Sequence, residues 1–505
     1  MKGIIGIDLG TTMSAVARLG ADGKPEIVFN ENGENITPSA VAVEGGDPSN
    51  WLVGTEAKRM LWDEDSSALG RFKRDMGSER THQVAGHSVT PTELSAAVLR
   101  KLKAIAEHSG PIGSAVVTVP ANFGNDARVA TSEAAEAAGL PVEFIINEPT
   151  AAALYFASTR SQSESGTVAV FDLGGGTFDV SVVRLDGQEV SVLSTTGVER
   201  LGGMDFDAAL QELVQRLYQE KTGGECSPED YDLNQAEEDK KSLSAVDSKM
   251  VSIRGANGRA NLRVTRADFE AAISPSLAQM GLLCEVALDE AGLEGEGLDA
   301  VILAGGSTRI PAVRDVAEKA FGAPLVSFGN PDEIVALGAA VYAGLRAGSG
   351  VTVAGQKEAL AGLSVSEKTS MSYGTVSLGF DASESGPLLQ NTVIIPRLTE
   401  IPCERTQVFY TSTDGQAAVR CQVTEAGADE TDLEFVKVVW VGELALGAPR
   451  PQGHPVEVAF AYDENQVMRC SFRDGEGGEP LEVDLRLTGS KSAVDSPLDI
   501  EDFKI

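Results

Sequence analysis

The stretch IDLGTTMSAV at residues 7–16 has a near echo in FDLGGGTFDVS at residues 171–181. Each reads as an apolar strand running into Asp-Leu-Gly, then small and hydroxylated residues, then a second apolar run. Glycine accepts the positive φ that lets a strand turn sharply and lets backbone come close to a ligand. Gly10, Gly174, Gly175 and Gly176 therefore point to loops whose N–H groups form a concavity suited to phosphate oxygens. Thr11, Thr12 and Thr177 add hydroxyl donors. Asp8 and Asp172, at strand ends, can hold a hydrated Mg²⁺ through water, because Mg²⁺ gives up its waters reluctantly. Two such hairpins facing each other would clamp a polyphosphate from both sides. Each taken alone reads equally well as a tight β-turn. No G-x-x-x-x-G-K-[ST] run occurs in the chain, so phosphate binding here would use the duplicated hairpin rather than a P-loop.

At 505 residues the chain is too long for one hydrophobic core and predicts two or three domains. A net charge of −34 argues against nucleic acid, whose phosphates require an excess of Lys and Arg. It does not argue against ATP, which backbone N–H groups and Mg²⁺ can hold. The five cysteines, Cys226, Cys284, Cys403, Cys421 and Cys470, are scattered without a C-x-x-C pair. That pattern is neither a zinc site nor a disulfide framework, and it fits a reducing compartment. The N-terminal residues read as a strand rather than a signal peptide. No apolar run reaches the ~20 residues of a membrane span. The expectation is a soluble, cytoplasmic protein with no membrane partner.

Over the first 345 residues short apolar runs, Lys2–Ile7, Ala115–Val119, Thr167–Phe171 and Ala300–Ala304, alternate with helical patterns. One helix is marked at its start by Thr90 as cap, Pro91 in the first turn and Glu93 closing a capping box. Its apolar face is Leu94, Val98, Leu102 and Ile105, with Gly110 just beyond its end. This alternation indicates α/β architecture. Residues 347–372, rich in Gly, Ser and Ala, read as a linker. From 373 to 487 the pattern is strands only, with Val419, Cys421 and Val423 alternating with Arg420, Gln422 and Thr424 as in a half-buried strand. That predicts a β-sandwich, followed by a frayed acidic tail, 488–505. The expected domains are thus 1–346, 373–487 and the two connecting or terminal segments.

Taken in order, GIDLGTT, VVTVPANF, IINEPTAAAL, VFDLGGGTFDVS, LGGMDFD, VTRADFE, LAGGSTRIP and NPDEIVALGAAV resemble the 70-kDa heat-shock protein (DnaK-type) chaperone family. The resemblance spans residues 3–345. It implies an actin-like ATPase domain of two ribonuclease-H-like lobes with the nucleotide in the cleft, followed by a β-sandwich that binds extended polypeptide. Carried over by motif, Asp8, Gly10, Thr11 and Thr12 form the first phosphate loop, and Asp172, Gly174, Gly175, Gly176 and Thr177 the second. Gly202 and Gly203 fall in the LGGMDFD motif, and Asp332 in NPDEIV, as further nucleotide contacts. Lys73 matches the family's essential lysine, and Glu148 the carboxylate that orients the attacking water. Asp8, Asp172 and Asp179 would organise Mg²⁺ and K⁺. Glu237, Lys240 and Ser244, at i, i+3 and i+7, match the ribose and adenine contacts, with Gly306 and Arg309 against the base. Without the resemblance, charges so spaced would read as a solvated helix face. Pro120 and Arg128 match a pair that relays nucleotide state between domains.

The likeness is fainter over residues 373–487, where Phe409 and Val419 match peptide-pocket positions and would otherwise be plain sandwich core. Ser383 stands where an apolar arch residue is usual, and Met13 follows the two threonines in place of a polar residue. The usual apolar, Asp-flanked linker is missing. Phe144 replaces a basic residue used for J-domain docking, which speaks against a J-domain partner. Residues after 487 are too few for a helical lid. The expectation is a lidless, weakly coupled ATP-hydrolysing chaperone that binds unfolded polypeptide and takes a nucleotide-exchange factor. The alternatives are a nucleotide-gated module for one dedicated partner or, remotely, a small-molecule kinase of the actin superfamily.

Overall fold

The computed structural model describes residues 2–44, 51–62, 66–160, 165–293, 297–326, 328–347, 352–380, 387–464 and 466–485. The position of Ser383 and the tail 488–505 lie outside the described residues. The chain forms two compact units: residues 1–121 with 133–365, and residues 122–132 with 366–505.

The first unit is built on two sheets of the same topology. In one, β1 (Gly3–Asp8), β2 (Met13–Leu19), β3 (Pro25–Ile27), β4 (Ile112–Val119) and β5 (Val142–Asn147) lie in the order β5-β4-β1-β2-β3. In the other, β6 (Ser165–Leu173), β7 (Phe178–Asp186), β8 (Glu189–Val198), β9 (Ala300–Ala304) and β10 (Leu325–Val326) lie in the order β10-β9-β6-β7-β8. In both, the central strand pairs antiparallel with the next strand through the Asp-Leu-Gly turn and parallel with the fourth. The sequence echo is therefore the same hairpin at the centre of each sheet.

Both faces of these sheets are covered, which is why β1 reads GIIGID without polar alternation. On one side Ile5, Ile7 and Val117 pack with Leu94, Val98, Leu102 and Ile105 of the helix Pro91–Glu107. Thr90 accepts the Glu93 N–H at 3.2 Å and Glu93 accepts the Thr90 N–H at 2.8 Å, the expected capping box. On the other side lies the helix Ile334–Arg346. A Cβ on Gly6 would stand 2.0 Å from the Ala340 backbone nitrogen, and one on Gly338 1.8 Å from the Ala151 carbonyl oxygen. Two glycines thus let this helix press onto β1 and onto the helix Glu148–Thr159 at backbone distance.

Much of the stretch expected as a linker is folded. It contains a helix, Ala354–Ala359, and a strand, Ser364–Lys368. Leu360 and Leu363 are buried in the first unit's core. Gln356 is buried too and donates to the Leu19 and Gly20 carbonyls. The segment is held by two buried leucines and by the hydrogen bonds of the buried Gln356 beside them.

The second unit is a pair of four-stranded antiparallel sheets. One holds Pro387–Ile395, Ser372–Phe380, Gln416–Ala426 and Lys437–Arg450; the other holds Cys403–Tyr410, Pro455–Tyr462, Met468–Asp474 and Leu481–Asp484. Tyr373, Ile395, Val423, Leu444, Phe460 and Phe472 fill the core between them. The expected alternation along 416–426 fails, because Gln422, Thr424 and Glu425 are buried with Cys421 and Val423. The polar face is occupied at Thr424, which donates to Asn391 at 2.6 Å; Glu425, one position on, accepts the Asn125 N–H at 2.8 Å. Lys437 pairs with Asp126 at 2.6 Å. The Arg128 guanidinium, buried in the same unit, donates to the Phe123 carbonyl and to Gln466.

Candidate functional site

A cavity of about 350 Å³ opens in the first unit, within the range small-molecule sites occupy. It collects residues far apart in sequence because both Asp-Leu-Gly turns end there. Asp8, Gly10, Thr11 and Thr12 line it from the first hairpin, and Asp172, Gly174, Gly175 and Thr177 from the second. The turns are in contact. A Cβ on Gly175 would meet Thr12 Cγ2 at 2.6 Å, and one on Gly176 would meet Thr11 Oγ1 at 2.4 Å. Met13 lines the cavity as well.

Lys73 stands on a short 3-10 turn, Phe72–Asp75, anchored by the buried Phe72 ring. Glu148 opens the helix Glu148–Thr159 directly after β5, where the positive end of the helix favours a carboxylate. Lys73 Nζ donates to Glu148 Oε1 at 2.7 Å, with side chains only 5% and 9% exposed. Around this pair the carboxylates are crowded. Burial first, and then Glu148, push the Asp8 carboxyl up to about 7, although Lys73 and a hydrogen bond from Thr118 oppose them. Asp172 is raised well above the usual range by burial and by Glu148, Asp179 and Asp8. Asp172 and Asp179 are cross-strand neighbours in the second hairpin. Among the described residues no three carboxylate, imidazole or thiolate groups converge as a metal cluster. The crowding that raises Asp8 and Asp172 would be relieved by a cation, which Mg²⁺ could supply through its bound waters.

The other end of the cavity is richer in cations. The helix Leu233–Ala245, capped by Asp232, presents Glu237, Lys240 and Ser244 to the cavity, with Lys58 and Lys241 beside them. Burial pushes the Glu237 carboxyl up, but Lys58 and Lys241 outweigh it and hold the group at about 2. Lys240 bridges Asp207 at 2.6 Å and the Gly203 carbonyl at 2.7 Å. The third wall follows β9. Gly305 and Gly306 lead into a 3-10 turn ending at Arg309, whose guanidinium binds Asp332 at 2.7 Å and Asn330 at 2.6 Å. Gly305, at φ 79, has no space for a side chain, since a Cβ would lie 2.3 Å from the Leu173 carbonyl.

Lys73, Glu148, Gly203, Glu237, Lys240, Ser244, Gly306, Arg309 and Asp332 thus share the cavity wall with the two turns. Gly176, Gly202 and Asp179 stand behind that wall. Gly202 packs on the Gly175–Gly176 peptide, and its N–H donates to Asp205 at 2.7 Å. Pro120 directly follows β4 in the first unit, whereas Arg128 belongs to the second. Phe409 and Val419 are half-buried and pack on the sandwich core. Sequence reasoning missed Lys58, Arg71, Arg74, Asp205, Asp207 and Ser307. Asp205 and Asp207 lie within LGGMDFD and Ser307 within LAGGSTRIP, whereas Lys58, Arg71 and Arg74 are single charged residues in no motif.

The family model described as Hsp70 protein matches residues 4–499, nearly the whole chain. The chain therefore belongs to the Hsp70 family, nucleotide-binding ATPases that work as chaperones.

Proposed function

We propose that this Hsp70-family chain hydrolyses ATP in the first unit and uses the cycle to bind and release extended polypeptide through the β-sandwich. The observation that carries this reading is the meeting of two Asp-Leu-Gly turns and a buried Lys73–Glu148 pair in one cavity. N–H groups and hydroxyls of Gly10–Thr12 and Gly174–Thr177 would receive the phosphates from two sides. Glu237, Lys240, Ser244, Gly306 and Arg309 would take the adenosine end, with Asp332 fixing the Arg309 guanidinium. Mg²⁺, with K⁺, would be held near Asp8, Asp172 and Asp179 through water, and would neutralise phosphate charge when bound. Lys73 would stabilise charge developing on the terminal phosphate. Glu148, paired with Lys73, would accept a hydrogen bond from the attacking water and aim it. Water oxygen then bonds to the terminal phosphorus as the bridging P–O bond to ADP breaks.

We assign Pro120 and Arg128 to the relay of nucleotide state, Phe409 and Val419 to the rim of the peptide site, and a nucleotide-exchange factor as a partner. Five free thiols support a reducing, cytoplasmic setting. A second reading, a module for one dedicated protein partner, is favoured by the packing of Phe409 and Val419 onto the core rather than into an open pocket.

The test is a Mg²⁺- and K⁺-dependent ATPase assay with and without an unfolded peptide, run beside Asp172→Ala. The chaperone reading expects turnover that peptide stimulates and Asp172→Ala abolishes. Turnover unaffected by Asp172→Ala overturns the site. Turnover indifferent to every unfolded peptide favours the dedicated partner.

A further inference from the structure

The glycine turn at 174–176 has no side chains of its own with which to fix its peptide planes. Their orientation is imposed from outside. The Gly174 carbonyl accepts from the Gly203 N–H at 3.0 Å and from Ser307 Oγ at 2.8 Å; the Gly175 carbonyl accepts from the Met204 N–H at 2.8 Å. The Gly176 carbonyl accepts instead from Arg74 Nε at 3.0 Å. Arg74 follows Lys73 on the turn Phe72–Asp75. Its two terminal nitrogens bind Asp205 at 3.1 and 2.5 Å, and Asp205 in turn accepts the Gly202 N–H at 2.7 Å. The Arg74 side chain is only 13% exposed.

In a trans peptide the N–H points opposite to the C=O. Holding the Gly176 carbonyl therefore aims the Thr177 N–H, and Thr177 lines the cavity. A planar guanidinium suits this task, because its fork can grip a carboxylate in two places while the Nε–H remains for a third acceptor.

We propose that Arg74 is a positioning residue for the second phosphate loop, orienting the Gly176–Thr177 peptide and tying it to the turn that carries Lys73. This rests on the nucleotide reading above. Its specific consequence is that Arg74 acts on the phosphates and leaves the adenosine end untouched.

The experiment is calorimetric titration of the full chain with MgADP and, separately, with adenosine, for wild type, Arg74→Gln, Arg74→Lys and Asp205→Asn. A charge-assisted bond lost behind a phosphate loop predicts ADP binding about tenfold weaker or more in Arg74→Gln, with adenosine within about twofold of wild type. Arg74→Lys, which keeps the charge but not the fork, should fall between. Asp205→Asn should move in the same direction and covers the case in which Arg74→Gln does not fold. ADP and adenosine weakened equally, or ADP unchanged in all three variants while wild type binds it, overturns the proposal and leaves the nucleotide site standing. Wild type that binds neither ligand overturns both.

Discussion

Replacing Lys73 by Met should do more than remove a charge from a cleft. The Lys73–Glu148 pair is 2.7 Å apart with both side chains almost wholly buried. At an effective dielectric of about 20 that separation is an attraction of about 6 kcal/mol, most of it offset by the cost of taking both ions out of water. Removing one partner keeps the desolvation cost and loses the attraction, which typically costs about 3–5 kcal/mol. The local setting adds to this, because Lys73 is also the cation that opposes the upward shift of the Asp8 and Asp172 carboxyls. Glu148→Gln removes the carboxylate that Lys73→Met leaves unpaired. The double variant Lys73→Met/Glu148→Gln should therefore recover about 2 kcal/mol relative to the sum of the singles. The assay is denaturant unfolding of nucleotide-free protein, following the first unit's transition. All three variants should lose turnover, so stability and not activity separates them. A Lys73→Met protein that unfolds at the wild-type midpoint, or single costs that simply add in the double, would refute the argument that the pair is a mutually dependent buried unit.

Three further outcomes follow from particular residues. Glu237 is held at about 2 against an ordinary 4.5, so its contribution, roughly 3 kcal/mol at most, is present above 4.5 and lost as pH falls toward 2; acid unfolding should be less steep over that window in Glu237→Gln than in wild type. Gly281 sits within the helix Ser274–Glu290 with open space around its α-carbon, so Gly281→Ala should raise stability by about 0.5–1 kcal/mol in thermal unfolding; a fall would mean the site is packed. Glu425 accepts the Asn125 N–H inside the second unit, so Glu425→Ala should cost about 1–3 kcal/mol and speed hydrogen exchange at that amide; unchanged exchange would mean the bond does not hold the amide.

The chemistry of the cavity was legible in the sequence wherever it is written locally. Asp-Leu-Gly followed by hydroxyls fixes a turn with few neighbours' help, and the Thr90–Glu93 box needed four residues. Arg74 was not legible, because it acts through a partner more than a hundred positions away and carries no motif; Asp207 stands in LGGMDFD, but its partners Arg71 and Lys240 lie outside that motif. The strand 416–426 misled for a different reason. Period-2 reading assumes water on the polar face, and here Asn391 takes its place at Thr424. The linker expectation failed similarly, since composition cannot report that Leu360 and Leu363 are buried in the first unit's core.

The contact between the two turns has a consequence for how such a site can change. Threonine side chains of the first turn fill the room that the missing side chains of the second leave open, Thr12 at Gly175 and Thr11 at Gly176. The halves are matched as tenon and mortise, not as mirror images. Two copies of the glycine turn would leave a gap at the joint, and two copies of the threonine turn would collide. The two hairpins therefore cannot be exchanged between their places, and a side chain can be added at Gly175 or Gly176 only if Thr12 or Thr11 gives way.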